Sequence, residues 1–195
     1  MPTAVKSLGA ALLIVLLLAG VAAVAYARWT RSIADADQSM ADGQWDRALG
    51  AYGVAEAGFD RLPAVRQLFN AEYTRVVGNQ LWLLYRMEQY DDLIEKAERA
   101  PEHAAPHFWS GLAFFAKARA EEKPEAQIGW LTRAEEELRR AVEAEPADWD
   151  TKFDFELVTR LAAELRKQPK TPPNQLMQLL RPQPKLGSKP VRRIG

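Results

Sequence analysis

The chain has 195 residues, no net charge and no cysteine. This length is sufficient for one domain with a hydrophobic core, and the lack of cysteine excludes disulfides and thiol chemistry. Residues 32–165 carry 26 acidic and 15 basic residues, whereas eight Lys or Arg and no Asp or Glu follow from Arg166 to the end. Because the acidic domain attracts the basic tail before a nucleic acid does, nucleic-acid binding is not expected.

Residues 8–27 form an uncharged apolar run near the start of the chain. As a helix that rises 1.5 Å per residue, this run is about 30 Å long, which is the thickness of the hydrocarbon core of a bilayer. We therefore expect residues 1–30 to be an uncleaved membrane anchor with one transmembrane helix. The alternative is a secretory signal cleaved after Ala27, since Lys6 supplies a basic start and Ala25 a small residue before the cleavage site.

The orientation of such an anchor follows from its short amino-terminal tail. Lys6 on one side nearly balances Arg28 and Arg31 on the other, so the positive-inside rule is almost neutral. A short tail usually stays in the cytoplasm. The expected location is therefore a bacterial inner membrane, crossed once, with the soluble domain in the periplasm.

After residue 30 the apolar residues recur at intervals of three and four, which is the pattern of amphipathic helices. The predicted fold class is therefore all-α, with antiparallel helix pairs over residues 31–167. Pro63, Pro101 and Pro146 end helices, and Pro106 opens one at its first turn. The predicted helices cover 32–41, 45–59, 65–87, 90–100, the stretch from 106, the stretch around 131–142, and a last helix with its apolar face at Phe153, Leu157 and Leu161.

Several segments repeat the same order of residue types. Residues 43–48 form a tight turn followed by an aromatic residue and, three residues on, a small one, and residues 88–93 repeat the aromatic-acid-x-apolar order. Residues 130–146 end a third unit with a proline. This order resembles the tetratricopeptide repeat (TPR), in which a small residue at the helix turn lets two helices cross closely. The residues that the resemblance places at such crossings are Ala48, Ala134 and Ala141.

The repeats depart from the TPR pattern in length and in one residue type. Trp45 and Tyr90 are 45 residues apart and Tyr90 and Leu131 are 41 apart, against about 34 in the family. Leu93 stands where the family usually has alanine. The alternative interpretation is a helical bundle whose periodicity is accidental.

The end of the domain carries a second resemblance. Residues 150–157, with Phe153 and Phe155, resemble the aromatic-Asn-Leu-Glu-Leu helix of small membrane-anchored repeat proteins encoded beside MoxR ATPases and von Willebrand A-domain proteins. Among these, the chain is most similar to the MxaK family of accessory proteins of methanol oxidation, in length, amino-terminal span, helical repeats and Pro-rich tail. The resemblance implies a non-catalytic role in maturing a periplasmic, calcium- and quinone-dependent methanol dehydrogenase.

The sequence contains no catalytic or metal-binding motif. His103 and His107, with Glu102 beside them, have the i, i+4 spacing of a helical metal pair, but Pro106 lies between them and no third ligand is near in sequence. We interpret them as two surface histidines at a helix entrance. Acidic runs such as 135–137 lack the alternating oxygen ligands of a calcium loop. We therefore expect no enzyme activity, no cofactor and no metal.

The best candidate for a binding surface lies on the helix predicted over residues 65–87. Arg75, Asn79, Trp82 and Arg86 lie at i, i+4, i+7 and i+11 and so share one stripe of that helix. Two guanidinium groups, an amide and an indole suit a carboxylate-bearing peptide or an acidic helix. The alternative is that Trp82 packs against the next helix pair and that the arginines only meet water.

The carboxyl-terminal tail, residues 168–195, is rich in Pro, Lys and Arg and poor in aromatic residues, which predicts disorder. Residues 174–180 are a short apolar exception that can dock as one or two helical turns, in trans or back on its own domain. The alternative is an inert solubilising tail.

The predicted function is a non-catalytic, membrane-anchored adaptor that assists the assembly, maturation or calcium loading of a periplasmic enzyme such as methanol dehydrogenase. The expected partners are proteins in or at the inner membrane, such as a von Willebrand A-domain protein, a MoxR-associated protein or methanol dehydrogenase itself. The alternative is a structural subunit of an inner-membrane complex that uses its transmembrane helix as the contact.

Overall fold

The computed structural model describes residues 2–61 and 63–167, and of residues 2–12, 18, 22, 25, 28 and 29 it describes the backbone alone. The tail that the sequence predicts to be disordered lies outside the described residues. Over the part that is described, all regular structure is α-helical. The helices are α1 (Pro2–Ala41), α2 (Trp45–Asp60), α3 (Pro63–Leu68), α4 (Asn70–Arg86), α5 (Tyr90–Arg99), α6 (Ala104–Ala120), α7 (Pro124–Ala144) and α8 (Trp149–Lys167).

The helices form antiparallel pairs joined by short turns. The carboxyl-terminal end of α1, which buries Ile33 and Ala36, packs against α2, while α4 packs against α5 and α6 against α7. Successive pairs then stack, because α2 contacts α4, α5 contacts α6 and α7 contacts α8. The predicted all-α architecture of helix pairs is therefore confirmed.

The chain reverses between paired helices through the same turn at two places. Gly43 after α1 and Glu88 after α4 have positive φ angles of 72° and 60°. At both places the helix ends in a Schellman motif, in which two backbone N–H groups bond back to carbonyls of the last turn. Residues 43–48 and 88–93 are thus similar both in sequence and in the conformation of the turn that precedes the second helix of each pair. The longer bonds of the two motifs run from the Gln44 N–H to the Ser39 carbonyl and from the Gln89 N–H to the Leu84 carbonyl, both at 2.9 Å.

The crossing points between paired helices hold the small side chains that the TPR resemblance implies. Ala48 in α2 and Ala134 and Ala141 in α7 are fully buried. Leu93, at the corresponding place in α5, is also fully buried. The second pair therefore accommodates a larger side chain at its crossing than the other two.

The closest crossing among the described glycines is between α6 and α7, at Gly111. A Cβ atom on Gly111 would lie 2.7 Å from Cγ of Leu138 and 3.2 Å from the Leu138 backbone nitrogen. Both distances are shorter than ordinary van der Waals contact, so only glycine fits here. The sequence pattern did not single out Gly111, because nothing local to it indicates which residue of another helix lies opposite.

The last helix buries a different face from the one that the sequence predicts. The buried residues of α8 are Thr151, Val158 and Ala162, because this face lies against α7. The predicted face is largely exposed. On the predicted face, the exposed fractions are 67% for Phe153, 38% for Leu157 and 37% for Leu161. Trp149, which the prediction did not include, is 77% exposed.

The prediction of a transmembrane helix over residues 8–27 is wrong. Within the described residues, no helix is both long and apolar enough to cross a bilayer. α1 also continues without a break through residue 30, where the anchor was expected to end.

Gly111→Ala is expected to lower the free energy of unfolding by about 1–3 kcal/mol, because overpacking costs more than the helix propensity that alanine gains over glycine. The matched control is Gly50→Ala in α2, where an added Cβ would meet nothing within 4 Å. This control should raise the free energy of unfolding by about 0.5–1 kcal/mol. Denaturant unfolding of both variants, followed by circular dichroism, measures the difference. Equal stabilisation by the two substitutions would contradict the close crossing.

Candidate functional site

The predicted binding stripe on α4 begins with an ion pair to another helix. Nη1 of Arg75 lies 3.1 Å from both carboxylate oxygens of Asp37, which is near the end of α1. Both side chains are roughly half exposed. Arg75 therefore links the first helix of one pair to the first helix of the next, and its charge is already balanced within the chain.

Asn79 belongs to the same polar network through Tyr52 of α2. The Tyr52 hydroxyl donates to Asp37, and Nδ2 of Asn79 donates to the Tyr52 oxygen at 2.7 Å. Burial of Tyr52, followed by its hydrogen bond to the Asp37 carboxylate, raises its pKa to about 12. Tyr52 thus stays protonated and keeps donating at neutral pH. The network joins α1, α2 and α4 at one point.

The last two residues of the stripe lie in different surroundings. The Trp82 ring packs edge-on against the Trp45 ring at the start of α2, with centroids 5.5 Å apart and planes at 73°. Trp82 therefore contacts the preceding helix pair, whereas the sequence alternative placed it against the next one. Arg86, at the end of α4, is exposed.

The structure thus brings three residues of the stripe, Arg75, Asn79 and Trp82, into contacts that hold helices together. Arg86 is an exposed residue. The binding of a partner by these four residues stays a prediction. If the stripe serves as a site, Arg86 is the member that reaches a ligand without first breaking an internal bond.

A second polar network, which the sequence reasoning missed, joins α2, α4 and α5. The Glu56 carboxylate accepts from Nε2 of Gln80 at 2.9 Å and from Nζ of Lys96 at 2.7 Å. Gln80 is almost fully buried. A cleft of about 470 Å³, lined by Glu56, Lys96 and other acidic and basic side chains, lies beside this network. The one sequence signal was Gln80 itself, a polar residue four positions after Val76 and three before Leu83, and so on an apolar stripe of the helix.

His107, which was predicted to be a surface residue, is instead largely enclosed. Its side chain is 13% exposed, with Nδ1 at 2.7 Å from Oε2 of Glu137 and Nε2 at 2.9 Å from Oε1 of Glu102. Glu102 precedes α6 and Glu137 belongs to α7, so the ring bridges a loop and a helix. His103 is exposed, as predicted, and its Nδ1 accepts from the Ala105 N–H at 3.3 Å to cap α6.

The surroundings of His107 favour its charged form. Burial alone would lower its pKa, but the hydrogen bonds to Glu137 and Glu102 outweigh burial and raise it. Both ring nitrogens face carboxylate oxygens, so both bonds form only when the ring is an imidazolium. The group lines a cleft of about 280 Å³ between α5, α6 and α7, together with Glu98 and Arg140.

The His107 group lacks the geometry of a nucleophilic site. The Ser110 hydroxyl lies 3.2 Å from the His107 carbonyl oxygen and 3.3 Å from Oε2 of Glu137, and no bond joins it to the imidazole. A serine nucleophile needs such a bond to its base. Among the residues whose side chains are described, no three potential ligands converge as a metal site. The expectation that the chain is not an enzyme stays a prediction.

Comparison with known proteins identifies the fold but no family. No family model and no curated protein matches the chain. It is similar to the structure of the first TPR of Spaghetti (RPAP3) bound to the HSP90 peptide SRMEEVD, at 14% identity over 69% of this chain and 93% of that chain, with a TM-score of 0.50. It is also similar to the NMR structure of the first TPR domain of human RPAP3, at 14% identity over 72% and 96% of the two chains, with a TM-score of 0.51.

At 14% identity these similarities show the fold alone. The predicted TPR-like helical repeat is confirmed, although the repeats are longer than those of the family. The more specific resemblance to the MxaK family, which depends on residues 150–157, stays a prediction.

The pH dependence of stability tests the His107 bridge. A raised pKa means that the bridge contributes fully below pH 6.5, the ordinary pKa of histidine, and that its contribution is lost as the pH rises through the raised value. The free energy of unfolding should therefore fall as the pH rises above 6.5 in the wild type, and fall less in His107→Gln. Denaturant unfolding across this pH range measures both slopes. His103→Gln, as control, should keep the wild-type slope; the same slope in His107→Gln would contradict the bridge.

Proposed function

We propose that the chain is a non-catalytic adaptor that binds another protein through the face formed by the first helices of its pairs. The observation that carries this proposal is the TPR-like fold, which the chain shares with a domain whose structure contains a bound peptide. In this chain α4 and α6 contact each other, and the Asp37–Arg75 ion pair links α1 to α4. α4 and α6 therefore lie side by side, and α1 is joined to α4 by this ion pair.

The chemistry of this face near the end of α4 suits an acidic segment of a partner. Arg86 is exposed, and a guanidinium group binds carboxylates through two parallel hydrogen bonds. The Trp82 ring, one turn earlier, is partly exposed and held in place by Trp45. A pre-positioned aromatic ring beside an arginine is typical of the residues that dominate protein interfaces.

A narrower role is supported by the resemblance of residues 150–157 to the MxaK family. In this proposal the partner is a periplasmic methanol dehydrogenase or a protein that assembles it, such as a von Willebrand A-domain or MoxR-associated protein. The adaptor would then hold the enzyme while its calcium is loaded. A periplasmic location is part of this proposal.

Arg86→Glu is expected to abolish capture of the partner while the domain stays folded, because the substitution reverses the charge at an exposed position. Arg47→Glu in α2 is the matched control, since Arg47 is also exposed and the change of charge is the same. Affinity capture with full-length variants, quantified by mass spectrometry, compares the two. Retention of the same proteins by Arg86→Glu would rule out this site. Arg75 is a poor choice for the test, because its reversal would place a second carboxylate against Asp37.

The narrower role predicts a defect in one enzyme. Methanol dehydrogenase purified from cells that lack the chain should contain less calcium per molecule, and expression of the wild-type chain should restore it, whereas the Arg86→Glu variant should not. Elemental analysis of the purified enzyme measures this. Full calcium occupancy without the chain would exclude calcium loading and leave the adaptor proposal intact.

A further inference from the structure

The last helix of the domain presents an apolar surface to solvent. We call Trp149, Phe153, Leu157 and Leu161 the α8 stripe; they follow one another at intervals of four residues, and Trp149 and Phe153 are at least two-thirds exposed. At 100° per residue, Trp149 and Phe153 project from the side opposite to Val158 and Ala162, which pack on α7. α8 therefore has two apolar faces: one is buried against α7, and the α8 stripe is the other.

The stripe continues into a groove. Leu161 lines a cleft of about 290 Å³ together with Phe115 of α6 and Leu131 of α7, and most of the lining is apolar. An apolar patch that runs from an exposed aromatic pair into such a cleft marks a surface that another element covers.

The repeat architecture indicates what kind of element is missing. α4 packs on α2, α6 packs on α5 and α8 packs on α7, so α8 takes the place of the first helix of a fourth pair. The first helices α1, α4 and α6 are each followed, after a turn of three residues, by a second helix that packs against them. α8 is followed by residues 168–195.

We propose that residues 174–180 of the same chain dock on the α8 stripe and supply the second helix of this fourth pair. This segment contains four apolar residues between Pro173 and Pro182, which bound two helical turns. Leu176 and Leu180 are four residues apart and share one helical face with Leu179. The segment thus carries an apolar face that suits the stripe. The apolar residues are Leu176, Met177, Leu179 and Leu180.

The connection has the right length for docking within one chain. Residues 168–173 span at most about 20 Å when extended. Along α8, Leu157 lies about 15 Å and Phe153 about 21 Å from Lys167, at 1.5 Å per residue. A segment that turns back after this connection therefore reaches the stripe in antiparallel orientation. A link of six residues is also within the range of about 2–8 that joins antiparallel helices.

Charge complementarity supports the same orientation. In an antiparallel arrangement, the residues after 180 lie near the amino-terminal end of α8. They include five basic and no acidic residues. The turn before α8 and the first turns of α8 carry Asp148, Asp150 and Asp154 against one base, Lys152. Burial and the negative charges of Asp150 and Asp148 raise the pKa of Asp154, so basic side chains placed here would relieve this repulsion.

In this arrangement the docked segment covers the exposed surface at the carboxyl-terminal end of the repeats. Terminal units of a repeat array expose the face that the next unit would cover, and arrays stay monomeric when that face is shielded. The docked segment would shield the α8 stripe from a second copy and from other apolar surfaces. The proposal does not depend on Arg86 or on the identity of a partner, because α8 and α4 lie in different pairs.

A spin label tests the proposal directly in the full-length chain, since the sequence has no cysteine. Glu156→Cys places a nitroxide at an exposed position beside the stripe. The amide signals of residues 174–180 should then lose most of their intensity by paramagnetic broadening. Leu176→Asp with Leu180→Asp should restore them. Gln175→Asp with Gln178→Asp, which adds the same charge at polar positions of the segment, should leave the broadening in place.

Three results would overturn the proposal. One is full intensity of residues 174–180 beside the label. Another is broadening that persists unchanged in the Leu176→Asp, Leu180→Asp variant, since it would not depend on the apolar face. The third concerns a mixture of a spin-labelled chain at natural isotopic abundance with an isotope-enriched chain that carries no spin label. If broadening appears only in this mixture, the segment covers a second copy of the chain. The amide spectrum of residues 31–167 serves in every case as the control for folding.

Discussion

Close approach between paired helices is the constraint on which the rest of this structure depends. Gly111 leaves room for the backbone of α7 at Leu138, and fully buried alanines occupy the crossings at Ala48 and Ala134. Dispersion contacts weaken steeply with distance, so helices held even slightly apart would lose much of what binds them. Each pair then supplies the surface on which the next one stacks, and the stability of the domain becomes a sum of pair and interface contributions.

Polar networks determine how the pairs lie on one another. The carboxylates of Asp37 and Glu56 each receive two donors from other helices. Since an unpaired buried polar group costs free energy, these bonds favour one arrangement of α1, α2, α4 and α5 over others that pack equally well. The same bonds occupy Arg75, Asn79 and Gln80 of α4. The side chains of α4 that remain available to bind a partner are therefore those outside the two networks. Arg86 is one of them, and it is exposed.

The fold was more predictable from the sequence than the site. Helices and turns depend on residues that are close in the sequence, whereas the contacts of the site join residues that are far apart in it. The turn at Gly43 and the helix ends at Pro101 and Pro146 depend on residues within one or two turns of each other, so local patterns were sufficient. The spacing of Arg75 and Trp82 correctly placed them on one stripe. It did not reveal that the stripe faces α1 and α2, because the residues opposite are 27 or more positions away in the sequence.

By itself the sequence determined an all-helical chain of paired helices with small residues where the pairs cross, because helical periodicity and turn residues act locally. Only the tertiary structure decided which of two apolar faces of α8 is buried, that Gly111 lies against Leu138, and that His107 lies between Glu102 and Glu137. It also removed the membrane span expected at residues 8–27. Helical periodicity shows which side chains share one face of a helix. The burial and the charge state of those side chains depend on residues that are distant in the sequence and pack against that face.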